Sequence, residues 1–503
     1  MKKILLSILF IFPFLSLIHA QERYGICNSM FSGTNGIWLN PASMVRSPFK
    51  WDLNIITLHA YVDNTYLYLY QTNIPSLITD NGQPEITVDN AASVDKGTSP
   101  IMLFERGNSF RKGMNNSVLL QGPSFMFSKN DWSVGFAMSV REAASLGGLN
   151  KTGADLFFQG LTYDPLHNMD LNIKRFRVNA MLWNEFGFSA GKILKQKVNK
   201  LIKGGITYKF IRGLGDAYFI NKKGHLFVPN DSDLYFNNIS AKYGYDMPQG
   251  LSSQGTGHAI DIGLTMEKKK NTKAYKCPSF CDKTLNLYYD WKIGISLMDI
   301  GFINFKKNAA TYTLNNASSQ WYDFNHTHID NAQQVDTTVS VHFYNTPLPK
   351  PGKTKYISLM PMALSLQYDY NIGYNFFING TCVQRIPHFG APGPDRANSI
   401  AITPRFDTRR FGIAVPVVLY SYMYPRVGLA LRLNNNVIIG TDKLDALIGH
   451  KLTGADIYFS IKANALKKCK TKDKKRKHMS INRKQYKSQE NGNAKSARYM
   501  FSQ

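Results

Sequence analysis

The chain has 503 residues, and 60 lysines and arginines against 34 aspartates and glutamates give it a net charge of +26. Its five cysteines are odd in number and too few for a disulfide framework, and no apolar stretch of about 18 or more residues is present, which argues against membrane-spanning helices. A mean hydropathy of −0.26 with 13% aromatic residues suits a β-barrel, because only alternate residues of its strands face lipid.

The first residues have the pattern of an export signal. Lys2 and Lys3 precede an apolar run over residues 4–18, and the small residue Ala20 is followed by polar residues. The export machinery recognises a positive start, an apolar stretch of about 7–15 residues and a small residue at the cleavage point. The alternative is an uncleaved anchor, but Pro13 interrupts the run, and a spanning helix needs about 20 residues. Residues 1–20 are therefore predicted to be a signal peptide.

The segment 21–50 contains a motif that can begin a helix. Asn40 belongs to the residue types that cap helix N-termini, and Pro41 suits the first helical position. Asn40-Pro41-Ala42 could therefore start a short helix that plugs or gates a barrel. The alternative is that the tripeptide only turns the chain into the first strand.

Strict period-two alternation dominates residues 51–466. Four segments alternate large apolar residues with small or polar ones, at 132–141, 260–267, 362–370 and 427–433. Further segments fit the same pattern: 51–61, 64–71, 118–128, 171–182, 184–192, 201–212, 286–300, 372–384, 397–406, 409–420 and 454–464. Successive side chains of a strand point to opposite faces, so each segment has one apolar and one polar face. This pattern predicts an all-β transmembrane antiparallel β-barrel, with a wall between lipid and a lumen.

Turns and inserts between the strands support a barrel. Short polar turns such as Asn130-Asp131 and 434–436 suit antiparallel hairpins. Longer polar inserts are expected at 72–115, 143–170, 213–256, 268–284 and 304–355. Short turns at one rim and long loops at the other are typical of outer-membrane barrels. The alternative is a secreted β-sandwich or propeller, in which the apolar faces would form a core.

Two groups of residues could bind a metal. Cys277 and Cys281 lie in a polar loop, where a local disulfide is the simpler interpretation and a zinc site would lack two ligands. His326 and His328 would share a face on a strand and have carboxylates nearby, but a polar loop has the same composition without any function. No metal or other cofactor is therefore predicted. Nor does any arrangement of residues indicate a catalytic site, so the chain is predicted not to be an enzyme.

The segment 33–44, which contains Asn40-Pro41-Ala42, resembles the Asn-Pro-Ala segment near the mature N-terminus of FadL-type and PorV-type outer-membrane proteins. Further motifs at 257–263, 294–301, 439–444 and 454–459 are similar to those of uncharacterised barrel relatives in bacteria with type IX secretion. The resemblance covers residues 25–466. It implies a barrel of about 14 strands, with residues 21–50 folded into or beneath the lumen as a plug or hatch.

Residues 467–503 form a basic tail. The runs that define it are Lys467, Lys468, Lys470, Lys474, Lys475, Arg476 and Lys477. So many like charges cannot pack, so the tail is predicted to be disordered and, if both barrel termini are periplasmic, to lie in the periplasm. An acidic periplasmic protein or an anionic envelope polymer would be its counter-charge, whereas export excludes nucleic acid. The bland alternative is a solvated extension without a fixed partner.

Two functions remain open for a barrel in the outer membrane, where lipid is one partner. The long inserts and the tail favour a role in secretion or envelope assembly, in which both act as binding surfaces. The hatch-like N-terminal segment favours the alternative, a FadL-like transport channel for a small or hydrophobic ligand. The small and polar inward faces argue against a fatty-acid pocket.

Overall fold

The computed structural model describes residues 22–79, 86–88, 101–107, 111–197, 199–269, 289–329, 331–346 and 352–467. The predicted signal peptide, the pair Cys277 and Cys281, and the tail beyond Lys467 lie outside the described residues. Among the helices of the described part, none is both long and apolar enough to cross a bilayer.

Fourteen antiparallel strands in the described ranges pair into a closed ring. They are β1 (Phe49–Asn64), β2 (Lys112–Gln121 and Ser124–Lys129), β3 (Trp132–Leu149), β4 (Phe176–Gln196), β5 (Lys200–Phe227), β6 (Gly255–Lys269), β7 (Tyr289–Phe305), β8 (Ala363–Gly373), β9 (Phe376–Arg385), β10 (Ser399–Asp407), β11 (Phe411–Ala414 and Val417–Tyr420), β12 (Tyr424–Val427 and Leu429–Leu433), β13 (Val437–Thr441) and β14 (Gly454–Leu466). Each strand pairs with the next along the chain, and β14 closes the ring on β1. The predicted barrel is confirmed.

The two faces of each strand differ as the alternation predicts. In β8, the apolar side chains of Leu366 and Tyr368 are each 47% exposed, whereas the polar side chains of Gln367 and Asp369 are buried. The same division runs along β6, where Ile262 is exposed and Asp261 is buried. Large apolar residues on many strands therefore form a belt on the outer face of the ring, and polar residues face the lumen.

The two ends of the barrel differ in their connections. At the short-turn end lie both chain ends of the barrel and tight hairpins, in which Asn130, Asn434 and Asn435 adopt positive φ values. Asparagine tolerates this left-handed conformation, which two-residue hairpin turns require. The other end, the long-insert end, carries most of the longer connections, although β6 and β7 are joined at the short-turn end through residues 270–288, which lie outside the described residues.

Additional elements lie at the long-insert end. Leu67–Tyr70, Ile86–Val88, Ile101–Glu105 and Lys451–Leu452 form a separate small sheet. Strands Asp170–Ile173, Leu234–Asp246, Ala310–Trp321 and Tyr356–Leu359 extend the barrel wall. The helices there are Ile74–Thr79, Lys151–Gln159, Ala332–Tyr344 and Asp445–Ile448, and Asp164–Leu166 and Phe324–His326 are 3₁₀ helices.

Several predicted boundaries were wrong. Most of segment 171–182, from Phe176 onward, forms one strand with segment 184–192, β4, because the alternation continues through Trp183, which faces inward and packs in a hydrophobic cluster. Segment 64–71 contributes to the small sheet rather than to the barrel. The expected insert 213–256 is largely strand, since β5 has 28 residues. At about 3.3 Å per residue such a strand exceeds the bilayer core of about 30 Å threefold, so it projects beyond it.

Residues 22–48 lie inside the ring of strands, and we call them the lumenal segment. The segment contains two short helices, Tyr24–Cys27 and Thr34–Ile37, followed by a 3₁₀ helix, Pro41–Met44. Most of its side chains are buried. The lumenal segment and the wall residues that it contacts form the candidate functional site.

Candidate functional site

Glycines on four adjacent strands make room for residues 40–45 of the lumenal segment, which include the Asn40-Pro41-Ala42 motif. Gly191, Gly205, Gly263 and Gly294 lie on β4, β5, β6 and β7, and Gly205 pairs directly with Gly191 and Gly263. A Cβ atom at Gly205 would lie 2.5 Å from the carbonyl carbon of Pro41. Contacts this short are not tolerated, so only glycine permits this approach of the two backbones.

Asn40 fixes the motif against these four glycines, which we call the glycine floor. Its Oδ1 accepts a hydrogen bond of 3.0 Å from the backbone N–H of Ala42 and so caps the 3₁₀ helix, as the sequence predicts. Its Nδ2 donates to Gln367 Oε1 at 3.0 Å and contacts the carbonyl oxygens of Leu264 and Ile295. One buried side chain thus joins the lumenal segment to β6, β7 and β8.

A second attachment involves Asp52 of β1. Asp52 Oδ2 accepts hydrogen bonds from the backbone N–H and the hydroxyl of Thr34, at 2.7 and 3.0 Å. The Lys462 ammonium lies 2.8 Å from the same oxygen and also donates to the carbonyl of Ser32. Both charged side chains are fully buried, so this ion pair depends on the lumenal segment for the rest of its hydrogen bonds.

A buried cluster of charges holds the start of the segment at the long-insert end. Asp299 accepts two hydrogen bonds from Arg141, at 2.9 and 3.0 Å, and one of 2.6 Å from Lys209. Arg396 joins Asp299 to Glu22 of the lumenal segment. Each cation therefore has an anionic partner, and the cluster links β3, β5 and β7 to the segment.

Trp38 of the segment covers this charge cluster. The Arg141 guanidinium lies 5.6 Å and the Lys209 ammonium 5.4 Å from the centre of its ring. The indole N–H donates to Gln121 Oε1 of β2 at 2.9 Å. Trp38 therefore makes two cation–π contacts and a hydrogen bond while it shields the cluster from water.

The opposite side of the wall also contacts the segment. Ser29 donates to Asp407 of β10 at 2.7 Å, and the side chain of Asn28 donates to Thr381 of β9 at 3.0 Å. The backbone N–H of Tyr24 donates to Asp442 at 3.0 Å. Contacts around the whole ring therefore fix the segment across the lumen.

Two small cavities lie on either side of the segment. One of about 50 Å³ opens near the short-turn end and is lined by Lys203, Glu267 and Lys292 together with Asn40. The other, also of about 50 Å³, lies near the long-insert end beside Arg141 and the rest of the charge cluster. A cavity that holds benzene has about 150 Å³, so neither accommodates a ligand of that size in this conformation.

The structure places the other predicted site residues apart from the lumen. His326 ends a 3₁₀ helix and is 73% exposed, and its Nδ1 lies 2.5 Å from Asp323 Oδ1. His328 follows in a loop, which agrees with the polar-loop interpretation; the alternative, a strand on which the two histidines share a face, is not present.

Lys467 is the one predicted tail residue within the described ranges. Its ammonium donates to Ser128 of β2 at 3.1 Å, and its backbone N–H to the carbonyl of Pro48. Partial burial, with a contribution from Arg46, lowers the pKa of Lys467 to about 8. Lys468, Lys470, Lys474, Lys475, Arg476 and Lys477 lie outside the described residues, and their partner-binding role stays a prediction.

Sequence reasoning missed the charge cluster around Asp299. A signal for it was available, because Arg141 and Asp261 occupy inward positions of strictly alternating strands. Charges that point into a filled barrel need partners. The partners themselves are far apart in sequence, as with Glu22 and Arg396, and no local pattern identifies them.

Two solved structures with similarity to this chain come from Pseudomonas species. The toluene transporter TodX of Pseudomonas putida shares 8% identity over 87% of this chain and 95% of its own, with a TM-score of 0.38. A FadL homologue of Pseudomonas aeruginosa shares 11% identity over 86% and 93%, with a TM-score of 0.36. The assignment of a barrel here depends on strand pairing and not on these similarities.

No curated protein matches the sequence. A family model described as a family of unknown function, DUF5723, matches residues 41–442, which is well over half of the chain. The match begins at Pro41 on the glycine floor and ends at Asp442, the acceptor for Tyr24. The chain therefore belongs to the DUF5723 family.

Proposed function

We propose that the chain is an outer-membrane channel for a small polar solute, and that the lumenal segment closes it in the conformation described here. The observation that carries this proposal is the position of residues 22–48, which cross the lumen between two small cavities and are held by polar and apolar contacts with the wall.

The outer face supports a location in a membrane. Soluble monomers rarely expose apolar patches larger than a few hundred Å². Here the apolar side chains that alternate with the inward-facing residues are exposed on many strands, for example Ile206, Ile262, Ile295 and Ile402. A closed ring with an apolar outside is the only form in which a sheet leaves no unpaired edge in lipid. The predicted export signal directs such a barrel to the outer membrane.

The polarity of the lumen supports a polar solute. Buried inward residues include Asp261, Asp299, Asp369, Arg405 and Arg432, and each is paired with an opposite charge on the barrel wall. A passage opened between these walls would be lined by charged and amide groups beside buried aromatic and aliphatic side chains. The charged groups would disfavour a hydrophobic ligand, which is why we propose a polar solute.

The contacts of the lumenal segment with the wall make it a candidate gate. They include hydrogen bonds and ion pairs, which water can replace when the segment moves, beside apolar contacts such as those of Tyr24, Phe31 and Leu39. The role in secretion or envelope assembly, which the inserts and tail suggested, has no support in the described residues or in the comparisons.

The test is solute flux into proteoliposomes. Removal of residues 22–46 is expected to raise the rate at which small sugars and amino acids enter, compared with the wild-type protein. Heat-dependent gel mobility checks that the truncated barrel is closed, because folded barrels stay compact until they are boiled. If the truncated barrel is folded and its flux equals that of the wild-type protein, the proposal is wrong.

A further inference from the structure

A second cluster of interest lies outside the lumen, at the long-insert end. Asp164, His167 and Asp231 present ligand atoms that all lie within 4.8 Å of one another. Asp164 and His167 belong to the connection between β3 and β4, whereas Asp231 belongs to the loop that follows β5. The three side chains thus come from two different inserts, and the fold brings them together.

The imidazole of His167 is surrounded by oxygen atoms. Its Nε2 lies 2.6 Å from the carbonyl oxygen of Leu161 and 3.3 Å from Asp231 Oδ1, and its Nδ1 lies 3.9 Å from Asp164 Oδ1. A ring nitrogen carries at most one hydrogen, so Nε2 cannot satisfy two acceptors fully. If the hydrogen on Nε2 is donated to the Leu161 carbonyl, the lone pair of Nδ1 is free to bind a cation that the two carboxylates share, and such a carbonyl contact orients many metal-binding histidines.

The surroundings hold the imidazole and leave the carboxylates accessible. His167 is 18% exposed and is paired with Val228, which is fully buried, while Asn168 donates to the Val228 carbonyl. The side chains of Asp164 and Asp231 are 94% and 66% exposed. In a tetrahedral site with bonds of about 2.0–2.2 Å, the ligand atoms lie roughly 3.3–3.6 Å from one another. Exposed carboxylates can shift from their present separations, which are at most 4.8 Å, to that spacing.

We propose that Asp164, His167 and Asp231 bind a divalent first-row transition metal, with Zn²⁺ as the representative ion. One imidazole nitrogen and two carboxylate oxygens are typical ligands of such ions, whereas Ca²⁺ and Mg²⁺ prefer oxygen ligands alone. The bound ion would cross-link the insert between β3 and β4 to the loop after β5. The site is independent of the lumen and of the proposed channel.

The test is calorimetric titration of the full-length protein in detergent with Zn²⁺ alone. His167→Ala and Asp231→Asn are each expected to weaken one site by at least about tenfold relative to the wild-type protein. Asp231 is exposed, so its variant keeps the fold even if the loss of His167 disturbs local packing.

Two variants serve as matched controls. Asp233→Asn removes a carboxylate from the same loop, and His326→Ala removes a histidine beside the carboxylate of Asp323. Both are expected to keep the affinity of the wild-type protein. Equal Zn²⁺ binding by the wild-type protein, His167→Ala and Asp231→Asn would overturn the proposal. So would an equal loss in the two controls, because binding would then be spread over the surface.

Discussion

Replacing Asn40 with alanine should open the channel without unfolding the barrel. The variant loses the cap on the 3₁₀ helix, a bond of 3.0 Å to the Ala42 N–H. It also loses the bond of 3.0 Å to Gln367 and leaves a buried acceptor without a donor. The ladder of β1 to β14 contains none of these contacts, so the wall should assemble normally.

The expected size of the effect comes from two contributions. Loss of an N-cap costs about 1 kcal/mol, and an unsatisfied buried acceptor costs about 1–3 kcal/mol. The contacts of Asn40 Nδ2 with two strand carbonyls are longer, at 3.3 and 3.4 Å, and an amide has only two hydrogens, so they add little. A total of about 2–4 kcal/mol lowers the weight of the closed state by about thirtyfold to a thousandfold.

The assay is the open probability of single channels in planar bilayers, together with solute flux into proteoliposomes. Asn371→Ala is the matched control, because Asn371 also accepts a backbone N–H at 3.0 Å and donates to a backbone carbonyl but has no bond to the lumenal segment. If Asn40→Ala is folded and is as closed as the wild-type protein and the control, the gating argument is refuted.

Three further predictions concern the glycines beneath the Asn40-Pro41-Ala42 motif, the outer face of the barrel, and Lys467 at its short-turn end. Gly205→Val should raise solute flux because its Cβ would collide with Pro41, whereas Gly380→Val, where a Cβ meets no atom within 4 Å, should not. Equal flux through the two variants would contradict the close contact between Pro41 and the wall. Ile262→Lys at the middle of β6 should lower the free energy of unfolding in lipid by about 2–4 kcal/mol, and Thr256→Lys near the strand end by about 0–1 kcal/mol. Equal costs in urea titrations would argue against a bilayer around this face. The pKa of Lys467, measured by NMR of ¹³C-methylated protein, should be about 8. Because the folded state releases this proton at a lower pH than the unfolded state does, the free energy of unfolding should rise with pH above about 8. A midpoint near 10.4, the ordinary lysine value, would contradict its burial.

The fold could be predicted because side-chain alternation survives wherever a strand has lipid on one side and polar contacts on the other. The prediction of strand boundaries failed where this contrast ends. Trp183 and Met181 face inward near the long-insert end and join a hydrophobic cluster, so the polar inward pattern of β4 is interrupted at Trp183 although the strand continues. Beyond the bilayer, β5 has polar residues on both faces and resembles a loop in sequence.

The candidate site was only partly accessible from sequence. Asn40 and Pro41 indicated a capped helix because capping depends on neighbouring residues alone. The glycines that receive the motif are separated from it by more than 140 residues, and so is Gln367. Such contacts exist only after the ring has closed, which is why neither the glycine floor nor the charge cluster could be predicted from the sequence.

The most direct measurement uses a reversible tether between the segment and the wall. A Cβ atom at Gly263 would lie 3.0 Å from the Cγ of Asn40, close to the separation of about 3 Å between one Cβ and the partner sulfur in a disulfide. In the double variant Asn40→Cys and Gly263→Cys, the account predicts that oxidation closes the channel and that reduction opens it reversibly, while each single variant ignores the redox state. Flux that stays the same in the oxidised and reduced double variant would contradict the claim that the lumenal segment is the gate.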